Sequence, residues 1–300
     1  MNFQQLVTTG FGTRAWLALG ALPPRQGYAF ARWLTRQLYR RKHGIVYRVL
    51  YGNQRHVLGP GATHEEVDLA VAAVLKHAGM TNYDMIRAVR CGEQAIVDSI
   101  ELGEDLWPHV EAARSLGRGV IVCGAHLSNF NLGFLSFAMR GNFTIQALSA
   151  SVPAGGFDVV RDLRNRGMLE DTPIDAASLK KALTRLKSGG AVLIGIDWPM
   201  PDTTEGVPFF GAPSLLSAGY VRLALSANAV LLPLTARWTP ARGYYAMSCP
   251  PVELVRTGDR DHDIRVNALH VLGIVERWIR ETPDQWLMYH PVWPEDGPPA

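Results

Sequence analysis

Three hundred residues, 47% of them hydrophobic, can bury a substantial core, which fits one large domain or two small ones. No apolar run reaches the roughly 18 residues of a membrane-spanning helix, and three distant cysteines (Cys91, Cys123, Cys249) form neither a disulfide ladder nor a CxxC motif. The net charge of +3 is unevenly spread: before Glu65 there is no acidic residue, while Arg14, Arg25, Arg32, Arg36, Arg40, Arg41, Lys42, Arg48 and Arg55 all fall there.

Residues 1–60 therefore read as a helical, basic region that Gly59-Pro60-Gly61 separates from the rest of the chain. Ala15 to Leu22 is too short to cross a bilayer and lacks the cleavage site of a signal peptide. Farther on, Phe30, Trp33, Leu34 and Leu38 recur at helical spacing, with Arg32, Arg36 and Arg40 on other faces. Such a helix suits the anionic surface of a membrane. The alternative is a helix that packs its apolar stripe on the domain and solvates its arginines. Nucleic acid is the other polyanion to weigh, but no binding motif accompanies the charge, and none is expected as a partner.

From residue 61 to 300 the pattern is that of one α/β domain. Glu65–Gly79, Tyr83–Leu102 and Glu104–Leu116 carry helical periodicity. A short buried strand, Gly119 to Ala125, then ends at His126, and a helix opens behind it with Ser128 as a natural N-cap. Phe143–Ser149 reads as a strand, Phe157–Gly167 as a short basic helix, and Leu179–Lys187 as a helix closed by Gly189-Gly190. Ala191–Ile196 is a second buried strand, ending at Asp197, and Trp198–Val207 a polar, proline-rich loop. A helix (Ser217–Ala227), strands at Val230–Arg237 and Tyr244–Pro250, and a long helix (Asp263–Arg280) complete the chain. Alternating strands and helices imply an α/β fold with a central mixed, mostly parallel sheet flanked by helices.

A histidine at the carboxyl end of a central strand, beside a helix N-terminus, stands where open α/β sheets keep their chemistry. Imidazole is suited to take a proton near neutral pH; the alternative is a core histidine bonded to backbone. Asp197 reads either as a site acid or as a cap for the next turn. No G-x-S-x-G elbow, P-loop or dinucleotide fingerprint occurs, and the nine histidines are scattered, so no metal or cofactor is expected.

Four blocks resemble the bacterial lipid A biosynthesis acyltransferase family. Gly124-Ala125-His126-Leu127-Ser128-Asn129-Phe130-Asn131 is similar to its His-x-x-x-x-Glu/Asp segment. Leu179 to Asp197 is similar to its helix, double glycine and strand. Gly206-Val207-Pro208-Phe209-Phe210-Gly211, with Gly219 and Leu223-Ala224, resembles its substrate loop and next helix. Pro283-Asp284-Gln285-Trp286, with His290 and Trp293, resembles its C-terminal block. Two departures stand out: Asn131 replaces the carboxylate, and Pro291 and Val292 replace an arginine pair.

The resemblance implies an O-acyltransferase that moves a fatty acyl group from acyl-CoA or acyl carrier protein to a hydroxyl of a glycolipid or lysolipid. It would be peripheral on the cytoplasmic face of the bacterial inner membrane. His126 would be the general base. Asn131 can orient the ring but cannot neutralise an imidazolium, which leaves three outcomes. Another acid (Asp197, Asp202 or Glu205) takes the role, the enzyme is slow, or the chain is a lipid-binding or scaffolding descendant. Arg161, Arg164 and Arg166 fall where the family places basic residues for substrate phosphate or carrier, or else pair with Asp158, Asp162 and Glu170 on a solvated face. Ser128, Phe209 and Phe210 are candidates for substrate binding, and Phe130 and Phe134 for an acyl groove, although aromatics of this kind also serve as plain core.

Overall fold

A computed structural model describes residues 18–149, 168–200, 203 and 206–294. Its centre is a seven-stranded sheet in the order β1-β7-β6-β2-β5-β3-β4. The strands are β1 (Glu101–Leu102), β2 (Val120–Gly124), β3 (Ile145–Ser149), β4 (Leu169–Pro173), β5 (Ala191–Gly195), β6 (Val230–Thr239) and β7 (Gly243–Ser248). β2 pairs parallel with both β5 and β6, and β3 pairs parallel with β5 and β4. β7 returns antiparallel on β6, and β1 runs parallel to β7, so the sheet is mixed and mostly parallel, as the sequence implies.

The inner strands are apolar on both sides because both faces are covered. Ile121, Cys123 and Val192 join one core with Tyr220, Val221 and Ala224 of α8 (Gly219–Ala227) and Val271 and Val275 of α9 (Arg260–Glu281). Val120, Val122 and Leu193 join the other core with Leu132 and Leu135 of α6 (Phe130–Gly141) and Val110 of α5 (Leu106–Ser115). The connection leaving β2 runs through α6 to β3, past β5, whereas the chain leaving β5 reaches β6 on the far side of β2. The two adjacent strands thus send their chains opposite ways, the arrangement that opens a crevice at strand carboxyl ends.

Three helices precede the sheet: α1 (Pro24–Arg40), α2 (Ile45–Leu58) and α3 (His64–Cys91). α3 starts at a capping box, Thr63 with Glu66, and runs unbroken through Gly79, where the sequence suggests a stop. Gly79 is retained because α1 lies on it: a β-carbon there would sit 2.9 Å from Thr35 Cγ2. Gly27 of α1 is tighter still, 2.0 Å from the Tyr83 ring.

The face that α1 buries is accordingly Gly27, Ala31 and Thr35, all small enough to let the helices close up. Of the apolar residues read from periodicity, Leu38 packs on the cluster around Leu50 and Val74, whereas Phe30 and Trp33 do not pack inward. Phe30 and Trp33 are 43% and 55% exposed, in ring contact with each other, among the exposed Arg25, Arg32, Arg36 and Arg40.

Two further differences have local causes. The stretch Tyr83–Leu102 is not one helix: α3 ends at Gly92, whose φ of 97° only glycine adopts readily, and α4 (Glu93–Asp98) and β1 follow. β4 is an additional edge strand whose polar sequence, Leu-Glu-Asp-Thr-Pro, hides it from a hydrophobicity reading.

Candidate active site

Register builds the site. Gly124 of β2 is paired with Gly195 of β5, so the residues two places beyond each, His126 and Asp197, emerge side by side at the carboxyl edge of the sheet. His126 Nδ1 lies 2.6 Å from Asp197 Oδ1, and the His126 backbone N–H donates to Oδ2 at 2.8 Å. Asp197 is fully buried, whereas the His126 side chain keeps 18% of its surface exposed. Gly195 makes room for the ring: a β-carbon there would be 2.9 Å from His126 Cε1. Phe130 meets the imidazole edge-on at 4.6 Å between centroids, and Trp198 flanks it at 5.3 Å. Trp198 in turn touches His290, at 4.2 Å.

A carboxylate on Nδ1 fixes the tautomer. Nδ1 carries the proton shared with Asp197, and Nε2 is left as the basic nitrogen. Burial alone would raise the Asp197 carboxyl. The charge of His126, its ring and backbone hydrogen bonds, and the Trp286 indole outweigh that and hold it below the usual carboxylate range. Burial, helped by the charge of His126, lowers the His290 imidazole.

The C-terminal block closes the site from below. Ser128 N–H donates to the Gln285 carbonyl at 2.7 Å, and Leu287 N–H to the His126 carbonyl at 2.9 Å, on either side of an antiparallel bridge between Leu127 and Trp286. The Gln285 amide exchanges two hydrogen bonds with the Trp238 backbone, at 2.7 and 2.8 Å. Asn53 of α2 donates to the Met288 and His290 carbonyls, both at 3.0 Å.

Ser128 is not the helix N-cap. That position is Asn129, because Ser128 sits in the left-handed region at φ 47° and its hydroxyl is taken by buried His77 Nε2 at 3.0 Å. Burial holds His77 down at about 4, so the ring is neutral.

Asn131 is half-buried in the first turn of α6. The group hydrogen-bonded to His126 Nδ1 is Asp197, contributed by the next strand in the sheet. Phe209 is fully buried among Phe210, Trp286 and Trp293, in the core. Phe210 is half-buried, with φ 49°, its N–H on Glu276 at 2.6 Å and the Arg280 guanidinium over its ring. Phe130 and Phe134 line up behind the imidazole, 6.2 Å apart. Arg161, Arg164, Arg166, Asp202 and Glu205 lie outside the described residues. Sequence reasoning gives no role to His77, Asn53 or the Trp286 indole. Trp286 alone had a signal, its place in the C-terminal block, and none of the three announces its partner by spacing.

Comparison with known proteins bears on the same residues. Residues 2–295 match the model of the bacterial lipid A biosynthesis acyltransferases. The chain belongs to that family. Two curated relatives, both named phosphatidylinositol mannoside acyltransferase, come from the Mycobacterium tuberculosis strains CDC 1551 / Oshkosh and ATCC 25618 / H37Rv. Each is 26% identical to this acyltransferase-family chain over 195 residues, covering 63% of it and 58% of the relative. Among the described residues, no helix of this family member is long and apolar enough to cross a membrane.

Proposed function

We propose that this protein is an O-acyltransferase that uses His126 as general base, oriented by Asp197, to move a fatty acyl group from a thioester to a lipid hydroxyl. The observation that carries this is the 2.6 Å contact between His126 Nδ1 and buried Asp197 at the sheet's carboxyl edge. The donor is acyl-CoA or acyl carrier protein, and the acceptor a glycolipid or lysolipid.

The acceptor hydroxyl gives its proton to Nε2 as its oxygen attacks the thioester carbonyl. Asp197 stabilises the imidazolium that forms. The tetrahedral adduct then collapses, expelling the thiolate, which takes the proton back from Nε2 and leaves as the thiol. Ester and free thiol are the products, and no acyl-enzyme forms. The carboxylate that Asn131 lacks is present as Asp197, which supports a working site over a lipid-binding or scaffolding descendant.

The outward aromatics and arginines of α1 support a peripheral position on an anionic membrane surface, the cytoplasmic face of the inner membrane. Thioester consumption from palmitoyl-CoA tests the chemistry, with a lipid extract of the source membrane as acceptor and acyl carrier protein thioesters as second donor. Consumption by the intact protein with a new acylated lipid by mass spectrometry, lost in His126→Ala, is the expected result. Silence with both donors favours the binding protein.

A further inference from the structure

We propose that Trp286 is the positioning residue of the catalytic pair, a staple that holds the Asp197 carboxylate in reacting orientation to His126. The proposal rests on the His126–Asp197 reading above. Among the described residues the Asp197 carboxylate has three hydrogen bonds: the ring and backbone N–H of His126, and the Trp286 indole N–H, which reaches Oδ2 at 2.9 Å. Two of these come from His126 itself and cannot tell the pair where to stand. The third comes from a separate part of the chain. The backbone of the same tryptophan is tied to the histidine segment, between Ser128 N–H on Gln285 and Leu287 N–H on the His126 carbonyl. The backbones of its two neighbours, Gln285 and Leu287, therefore grip the histidine segment, while the Trp286 side chain grips the aspartate.

The chemistry of the contact suits that task. An indole N–H donates and cannot accept, so it favours the ionised carboxylate that an imidazolium needs. The ring is fully buried against Phe209, Phe210 and Trp293, so the donor has little freedom to swing away. Removing it leaves the carboxylate with the ring and backbone N–H of His126 and, among the described residues, without a donor from any other part of the chain.

Trp293 supplies a matched control. It is equally buried in the same cluster, and its indole N–H donates to a core carbonyl, that of Phe209 at 3.2 Å. The experiment compares Trp286→Phe with Trp293→Phe by three measurements. These are the downfield proton resonance of His126 Nδ1–H, kcat and KM with palmitoyl-CoA, and Tm. Both variants are expected to lose Tm. Only Trp286→Phe is expected to move or broaden away the resonance and to lower kcat, by about 10- to 100-fold, the range typical when a group orienting an active ligand is removed, with KM little changed. If Trp286→Phe fails to fold, benzothienylalanine at the same position keeps the bicyclic shape, replaces N–H by sulfur and makes the same test.

A wild-type resonance and kcat in the Trp286 variant overturn the proposal. So does an equal fall of kcat in Trp293→Phe. Asp197→Asn separates this from the underlying reading. If that variant loses turnover while Trp286→Phe keeps it, only the staple is wrong; if Asp197→Asn keeps full turnover, the pair itself is wrong. The resonance needs no substrate, so it decides the staple even where turnover is absent.

Discussion

Two aromatic clusters in this molecule use the same side chains in opposite ways. Beneath the site, Phe209, Trp286 and Trp293 are fully buried, and each indole N–H has a specific acceptor, Asp197 or the Phe209 carbonyl. On α1, Phe30 and Trp33 meet at a tilt in the open, on a helix whose arginines are also exposed. The first cluster is held by what it touches inside the protein. The second keeps its rings exposed, and the small residues on the inner face of the helix do the packing instead.

The contrast is sharpest where chemistry is at stake. Asp197→Asn keeps the shape of the inner region but removes its charge. By the serine-protease template it is expected to lower kcat about ten-thousand-fold while the folded spectrum is retained, read by thioester consumption and circular dichroism. An unchanged kcat would dissolve the inner region's claim to function.

Truncating one aromatic from each cluster breaks the comparison directly. Trp293→Ala should cost about 3–5 kcal/mol in chemical denaturation, the range for emptying a buried aromatic site. The double variant Phe30→Ala/Trp33→Ala should stay within about 0.5 kcal/mol per site of wild type. The same double variant should float with anionic vesicles markedly less, and equal flotation would show that the outer pair does not meet lipid.

The pH dependence of stability probes the inner region alone. His77 has a folded pKa of about 4 against its ordinary 6.5, so the unfolded chain takes up its proton first as pH falls. Its contribution is complete above pH 6.5 and is lost as pH drops toward 4, by roughly 3 kcal/mol in all. His77→Gln, measured by urea denaturation across that window, should flatten the slope. A slope unchanged in the variant would mean that the ring is not held neutral.

The smallest effect is expected at Asn131. Because Asp197 already occupies Nδ1, Asn131→Asp should leave turnover within about threefold of wild type. A large gain would mean that the first turn of α6 and not β5 sets the strength of the base.

The sequence makes the strand ends readable because each is a short apolar run stopped abruptly, by Gly-Ala-His or Gly-Ile-Asp. What it does not reveal is that the two stops are neighbours. That depends on Gly124 facing Gly195 across a parallel pair whose strands are 71 residues apart, and no local pattern encodes such a register. Family resemblance points to position 131 for the acid; topology supplies it from position 197. The inner face of α1 goes unannounced for a related reason. Periodicity weighs Phe, Trp and Leu heavily and Gly, Ala and Thr little, yet close helix packing selects the small residues. β4 escapes because an edge strand can be polar, and the blocks around Arg161 and Glu205 stay at the level of the sequence.

α3 has a consequence for how such a protein meets its substrate. Gly79 receives α1 on one side, and two residues earlier His77 reaches across to Ser128 on the other. Two packed helices, α1 and α3, each about 10 Å across, lie between the exposed aromatics and the loop carrying the imidazole. Both are clamped to the same rod with no hinge between them. Whatever plane α1 rests on is thereby kept at a constant height from Nε2, and α3 acts as a gauge block between surface and chemistry.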